Sequence, residues 1–164
     1  MLAQTEAAVL QKIISGGQTG ADRAALDWAI AHEIAHSGWC PAGRRAEDGL
    51  VPEKYRLKET AGRGYRQRTR WNVRDSDATL IVTLTAELTG GSLFTQQWAA
   101  RINRPCLHVY PCAEWREWLT AFLKTNPIEI LNVAGPRGSS RAGIEQFVHE
   151  VLDEVFMILK DEPA

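Results

Sequence analysis

An apolar β-type run that stops at paired glycines and turns at once into a helical pattern constrains this chain more than any other feature. Its first instance is "IISGGQTGADRAALDWAI", residues 13–30. A run of that kind opening a helix within five residues begins a β-α-β unit, and the pattern recurs. "KIIS" (12–15), "HSGW" (36–39), "ATLIVT" (78–83), "CLHVY" (106–110) and "IEILNVA" (128–134) read as strands. "ATLIVT" is apolar on both faces, as a central parallel strand must be. Helices are expected from about Asp22 to Glu33 with Leu26, Ala29, Ile30 and Ile34 on one face, from Ser92 to about Ile102, and over 113–125. A last amphipathic helix carries Ile144, Phe147, Val148, Val151, Leu152, Val155 and Phe156 on one stripe. This alternation predicts an α/β sandwich with a mainly parallel sheet of about five strands. At 164 residues one domain spanning 1–164 is expected. Ligands of such sheets bind beyond the carboxyl ends of the strands.

Three strand ends carry material for an anion site. After the first strand, Gly16, Gly17 and Gly20 can expose backbone N–H groups with no Cβ in the way, flanking Gln18 and Thr19. The helix start behind them adds unpaired donors and partial positive charge. The alternative is a tight structural turn with Asp22 as helix cap, since a carboxylate there repels an anion unless it is turned away. After "ATLIVT" comes Thr89-Gly90-Gly91-Ser92, and after the last strand come Gly135, Arg137, Ser139 and Ser140. These joints share one edge of the sheet, so one ligand can bridge them. Arg137 suits bidentate contact with phosphate or carboxylate; a solvent-facing loop is the alternative for it and for Arg141.

Charge is unevenly placed. The net charge is −1, yet residues 41–74 hold ten Lys or Arg against four acids. That excludes a polycationic nucleic-acid or membrane binder as a whole, and leaves either a local anion site or a solvated basic face. Residues 41–66 form one long irregular segment. A segment of that length inside a compact unit is functional or disordered, and its Arg44 and Arg45 are candidate anion contacts on a mobile loop. Arg70 and Asn72 follow, with Trp71 the best stacking candidate. Asn72, Asp75 and Asp77 have the composition of a metal site but sit where turn chemistry is ordinary, so no metal is expected. Cys40, Cys106 and Cys112 lack C-x-x-C spacing, supporting neither disulfides nor structural zinc and pointing to a cytoplasmic protein. "MLAQTEAAVLQK" (1–12) lacks the pattern of a signal peptide, and no apolar run has the length of a membrane span.

The blocks "SGGQTGADRAALDWA", "GWCPAGRRAEDG", "RTRWNVRDSDATLIV", "LTGGSLFTQQWA" and "LNVAGPRGSS" together resemble the molybdenum-cofactor carrier family. That family lies within a Rossmann-like superfamily (SLOG) that includes the LOG-type nucleotide phosphoribohydrolases, formerly called lysine decarboxylases. The resemblance implies a Rossmann-like three-layer α/β protein that holds a phosphorylated pterin (molybdenum cofactor) or a nucleotide phosphate, often as an oligomer. The phosphoribohydrolases carry P-G-G-x-G-T-x-x-E at the second joint. Here Gln96 or Gln97 stands where that glutamate would be, and glutamine cannot exchange a proton near neutral pH. The expectation is a carrier with a small anionic ligand and no nucleic-acid or membrane partner, held at Gly16–Gly20, Arg44, Arg45, Arg70, Asn72, Thr89–Ser92, Arg137 and Ser139. A homodimer or homotetramer is expected, with Trp115 and Trp118 as a subunit contact. The rivals are a nucleotide hydrolase using Glu47 or Asp48, and a nucleotide-sensing module.

Overall fold

The computed structural model describes residues 9–161; most of the segment expected to lack a signal peptide, residues 1–8, lies outside them. The first unit is β1 (Lys12–Ile14), α1 (Ala21–Ala31) and β2 (Ala35–Ser37). Next come the two-residue strands β3 (Trp39–Cys40), β4 (Arg45–Ala46), β5 (Gly49–Leu50) and β6 (Lys58–Glu59). They are followed by α2 (Tyr65–Arg74), β7 (Ala78–Val82), α3 (Gly90–Arg101) and β8 (Cys106–Val109). The chain ends with α4 (Trp115–Thr125), β9 (Ile130–Ala134) and α5 (Ile144–Asp161).

Five strands form one parallel sheet in the order β2-β1-β9-β7-β8, giving the Rossmann-like fold. The last strand is inserted at the centre, between β1 and β7. Moving β9 and α5 to the front of the chain would produce the order 3-2-1-4-5 of a doubly wound sheet. Helices α1, α4 and α5 pack together, and α2 packs on α3, as the layers on the two faces. Ile13, Leu80, Val82, Leu131 and Val133 join the first layer in the main core, with Trp28, Trp115, Leu119 and most of the α5 stripe. Strand β7 is buried at all five positions, as its unbroken apolar run predicts. Phe156 departs from the α5 stripe at 36% exposed, and Ile30 departs from the α1 face at 42%.

Four expectations are corrected. Helix α2 was not foreseen. Four of its ten residues are arginines and only Asn72 and Val73 are buried, so it has no apolar stripe. "HSGW" is not one strand: Gly38, at φ +145°, sits so close to the Ser15 carbonyl that a Cβ would lie 2.0 Å from that oxygen. The chain turns there, and β3 pairs with β6 instead of continuing β2. Residues 41–64 are not one irregular loop but carry short paired strands. The β4–β5 hairpin and β3–β6 pair frame a small core of Leu26, Cys40, Val51 and Tyr55, and the Tyr55 hydroxyl donates to Asp27 at 2.7 Å. Finally, Trp115 is 3% exposed and packs edge-on against Phe147. Of the two tryptophans expected at a subunit contact, Trp118 alone reaches the surface.

A cleft at the switch point of the sheet

Strand order reverses between β9 and β7, and a cleft of about 460 Å³ opens beyond their carboxyl ends. Three chain segments build it. The joint after β1 contributes Gly16, Gln18 and Asp22; the joint after β7 contributes residues from Thr83 to Ser92; the joint after β9 contributes Gly135 to Arg137, then Ser140 and Arg141. Helix α2 closes the side with Tyr65, Arg68, Thr69 and Asn72.

The best-defined charge in the cleft is a pair. Arg68 and Asp22 lie 3.5 Å apart, their side chains 13% and 9% exposed. Arg68 Nη1 also donates to the Gly16 carbonyl at 2.9 Å, and Asp22 Oδ2 accepts the Gln18 N–H at 3.2 Å. Burial pushes the Asp22 carboxyl above its ordinary value, against the pull of Arg68 and the Gln18 N–H. Gly16 is required for this approach, since a Cβ there would stand 2.3 Å from Arg68 Nη1. The Tyr65 ring lies 5.3 Å from both the Arg68 and the Arg137 guanidinium carbons, so one aromatic positions two cations in the cleft. Helix α3 starts at Gly90, where its first N–H groups have no intrahelical acceptor. A Cβ on Gly90 or Gly91 would meet nothing within 4 Å, so the approach to that terminus is open.

Of the residues expected at the site, Gly16, Gln18, Asn72, Thr89, Gly90, Gly91, Ser92 and Arg137 line this cleft. The others are placed differently. Gly17 (φ +79°) faces Leu57 and Val51, and Gly20 (φ +82°) faces the backbone of Pro136 to Gly138. Both serve contacts between segments. Thr19 and Ser139 hydrogen-bond the Glu47 carboxylate, which clasps the β4–β5 hairpin to the first and last joints. Those bonds hold the Glu47 carboxyl below the ordinary range, and Arg23 does the same for Asp48. Arg44 spends its guanidinium on the carbonyls of Val51, Pro52, Tyr55 and Leu57, while Arg45 is exposed on the hairpin. Arg70 points outward over Trp98 and Phe94, and Trp71 meets Trp39 edge-on beneath Arg74. Asn72 borders the cleft, but its amide is paired with both backbone groups of Trp39. Asp75 accepts from Trp39 and Arg74, and Asp77 from two N–H groups beside β9. Gln96 and Gln97 are exposed on α3, and the neighbour that lines the cleft is Thr95.

Asp22, Arg68, Tyr65 and Arg141 line the cleft and are not among the residues expected there from the sequence. A polar stripe was the available signal: Tyr65, Arg68, Thr69 and Asn72 stand at i, i+3, i+4 and i+7.

Fold and cleft together define a doubly wound α/β protein with its ligand crevice at the strand-order reversal. The profile of the circularly permutated YpsA SLOG family (cpYpsA) matches residues 13–156, and the chain belongs to that family; the central placement of β9 is the permutation seen in three dimensions. A crystal structure named "Putative molybdenum carrier protein", from Syntrophus aciditrophicus SB, is 44% identical. It superposes with a TM-score of 0.85 over 93% of this chain and 98% of that one. No curated protein matches the chain in sequence. Among the described residues no helix is long and apolar enough to cross a membrane.

Proposed function

We propose that the protein binds and carries a phosphorylated pterin or nucleotide-like anion in the switch-point cleft. The observation that carries this reading is the convergence of Arg68, Arg137, Arg141 and the open start of α3 on one cavity. Directed donors of that kind hold a phosphate through charge-assisted hydrogen bonds. The named likeness to a molybdenum carrier protein supports the pterin form of the cargo. The carboxylates offered for the rival hydrolase, Glu47 and Asp48, are committed to Thr19, Ser139 and Arg23, which favours carriage over turnover.

Native mass spectrometry of the purified protein, followed by calorimetric titration with pterin and nucleoside monophosphates, tests the reading. A phosphorylated small molecule should co-purify or bind without chemical change, and Arg137→Ala should weaken binding roughly tenfold or more, as expected for a lost charge-assisted hydrogen bond. Release of free base from a nucleoside monophosphate would replace the carrier with a hydrolase. Absence of binding by any phosphate would reject both.

A further inference from the structure

Gln18 lines the cleft, is 5% exposed, and uses only half of its amide. Its Oε1 accepts the backbone N–H groups of Thr19 at 3.1 Å and Glu47 at 2.9 Å. Two N–H donors on one side fix the orientation of the amide, so the other end must be the NH₂. That Nε2 is buried and has no hydrogen-bond partner among the described residues. Folded proteins almost always satisfy such a group, and a bound ligand is one means of doing so. Asp22, 6% exposed, lines the cleft from the same joint, where its carboxylate accepts the Gln18 backbone N–H at 3.2 Å.

The joint after β1 therefore supplies the cleft with both an unused amide donor and a carboxyl acceptor. Arg68 and the Gln18 N–H both meet Asp22 at Oδ2. A carboxylate has no attraction for the phosphate that Arg137 and Arg141 suit, so the ligand groups that fit its remaining acceptor capacity are N–H donors. An acceptor on the ligand next to two adjacent N–H donors is the pattern of a cyclic lactam fused to a guanidine. We propose that Gln18 and Asp22 read the 2-amino-4-oxopyrimidine edge shared by guanine and the pterins. Gln18 Nε2 donates to the ring oxo group, and Asp22 accepts from the ring N–H and the exocyclic amino group. Adenine presents the reverse pattern, setting its amino group against the Gln18 NH₂ and an unprotonated ring nitrogen against Asp22. Xanthine keeps the oxo group but turns a second carbonyl toward the carboxylate. The inference rests on the proposed binding of an anionic heterocycle in this cleft, and names its heterocyclic end.

Titration of the whole protein with GMP, AMP, XMP and 6-hydroxymethylpterin phosphate tests it without any variant. GMP, the pterin phosphate or both should bind roughly ten- to a hundredfold more tightly than AMP and XMP, the discrimination expected of a bidentate edge contact. Their order identifies whether nucleotide or pterin supplies the edge. Asp22→Asn should abolish the preference, lowering the ratio of GMP or pterin-phosphate affinity to AMP affinity to about one. Gln18→Glu keeps an oxygen for the Thr19 and Glu47 N–H groups but turns the free end into an acceptor, and should weaken GMP in the same way. Binding of both GMP and the pterin phosphate no tighter than that of AMP would overturn the inference and leave the anion cleft standing. Loss of all ligands alike in a folded Asp22→Asn or Gln18→Glu variant would overturn it too, by showing a structural role. Failure of every phosphate to bind wild type would overturn the binding reading and this inference together.

Discussion

Substituting Gly16 with alanine isolates the Arg68–Asp22 pair from everything else in the cleft. The Gly16 backbone lies outside the left-handed region, so alanine brings no conformational strain of its own. Its methyl would lie 2.3 Å from Arg68 Nη1 and 2.9 Å from Cζ, and the flexible end of Arg68 must move out. The displaced guanidinium loses its 2.9 Å bond to the Gly16 carbonyl and its place 3.5 Å from Asp22. A buried carboxylate that loses its counter-charge costs about 3–5 kcal/mol. Asp22 can limit that loss by taking a proton. Burial already pushes the Asp22 pKa above its ordinary value, which makes that proton easier to take up. The expected loss at pH 7 is therefore at most that of the unpaired carboxylate, about 3–5 kcal/mol, and it is smaller at pH 5. The sign follows from the raised pKa: the folded state holds the Asp22 proton to higher pH than the unfolded chain, so stability contributed by that proton declines as pH rises above 3.8. Urea denaturation at pH 7 and pH 5, with Gly16→Ala, Arg68→Ala and the double variant, measures each term. Arg68→Ala vacates the space the methyl needs, so adding Gly16→Ala to it should cost less than about 0.5 kcal/mol, a coupling of roughly 3 kcal/mol. Additive losses, or a loss independent of pH, would refute displacement of Arg68 as the cause.

Two further outcomes are expected. Gly17→Val should destabilise the fold by roughly 2–5 kcal/mol, because a β-branched residue is placed at positive φ against Leu57 and Val51; Gly91→Val, with open space around it, should fold normally yet lose phosphate binding. Denaturation and titration of the two variants side by side check this, and a stable Gly17→Val protein would show that residues 41–64 yield easily. Burial holds the His108 pKa below its ordinary 6.5, so the unfolded chain takes up a proton that the folded one refuses, and stability falls as pH drops from 6.5 through the lowered value. A His108→Gln variant should lose part of that acid slope in melts between pH 7 and pH 5, and an unchanged slope would assign it elsewhere.

Strands β1, β7 and β9 were legible because β-branched or unbroken apolar runs announce them, whereas β2, Ala35–Ser37, carries no such run. The joints were legible because glycine has few other uses at such positions. Helix α2 was illegible for a physical reason. One of its faces lines a cleft and the other meets solvent, so neither is apolar and no hydrophobic periodicity marks it. Its arginines divide accordingly. Arg68 belongs to the inner face, whereas Arg66 and Arg70 lie over the Phe94 ring outside. Arg70, a candidate from the sequence, lies on the outer face two residues from Arg68. Glycine purpose was equally hidden: Gly16 and Gly17 are neighbours in sequence, yet one makes room for an arginine and the other for a leucine.

Placement of the basic residues bears on what kind of recognition the cleft performs. Of the ten Lys and Arg between residues 41 and 74, Arg68 alone lines the cleft. Arg44 is consumed by four loop carbonyls, and Arg66, Arg70 and Arg74 cover aromatic rings on the outer surface. The local excess of positive charge is thus chiefly a device for folding a polar segment and shielding Trp71, Phe94 and Trp98. Inside the cleft three arginines face two acids, Asp22 and Glu87, so the site has little net charge to attract anions indiscriminately. On the proposed reading, selectivity comes from direction: a phosphate placed where guanidinium and helix-start N–H groups converge, and a heterocycle placed at the joint that supplies an unused amide and a carboxyl. A site built of opposed, oriented groups rejects a ligand that presents the right charge at the wrong end.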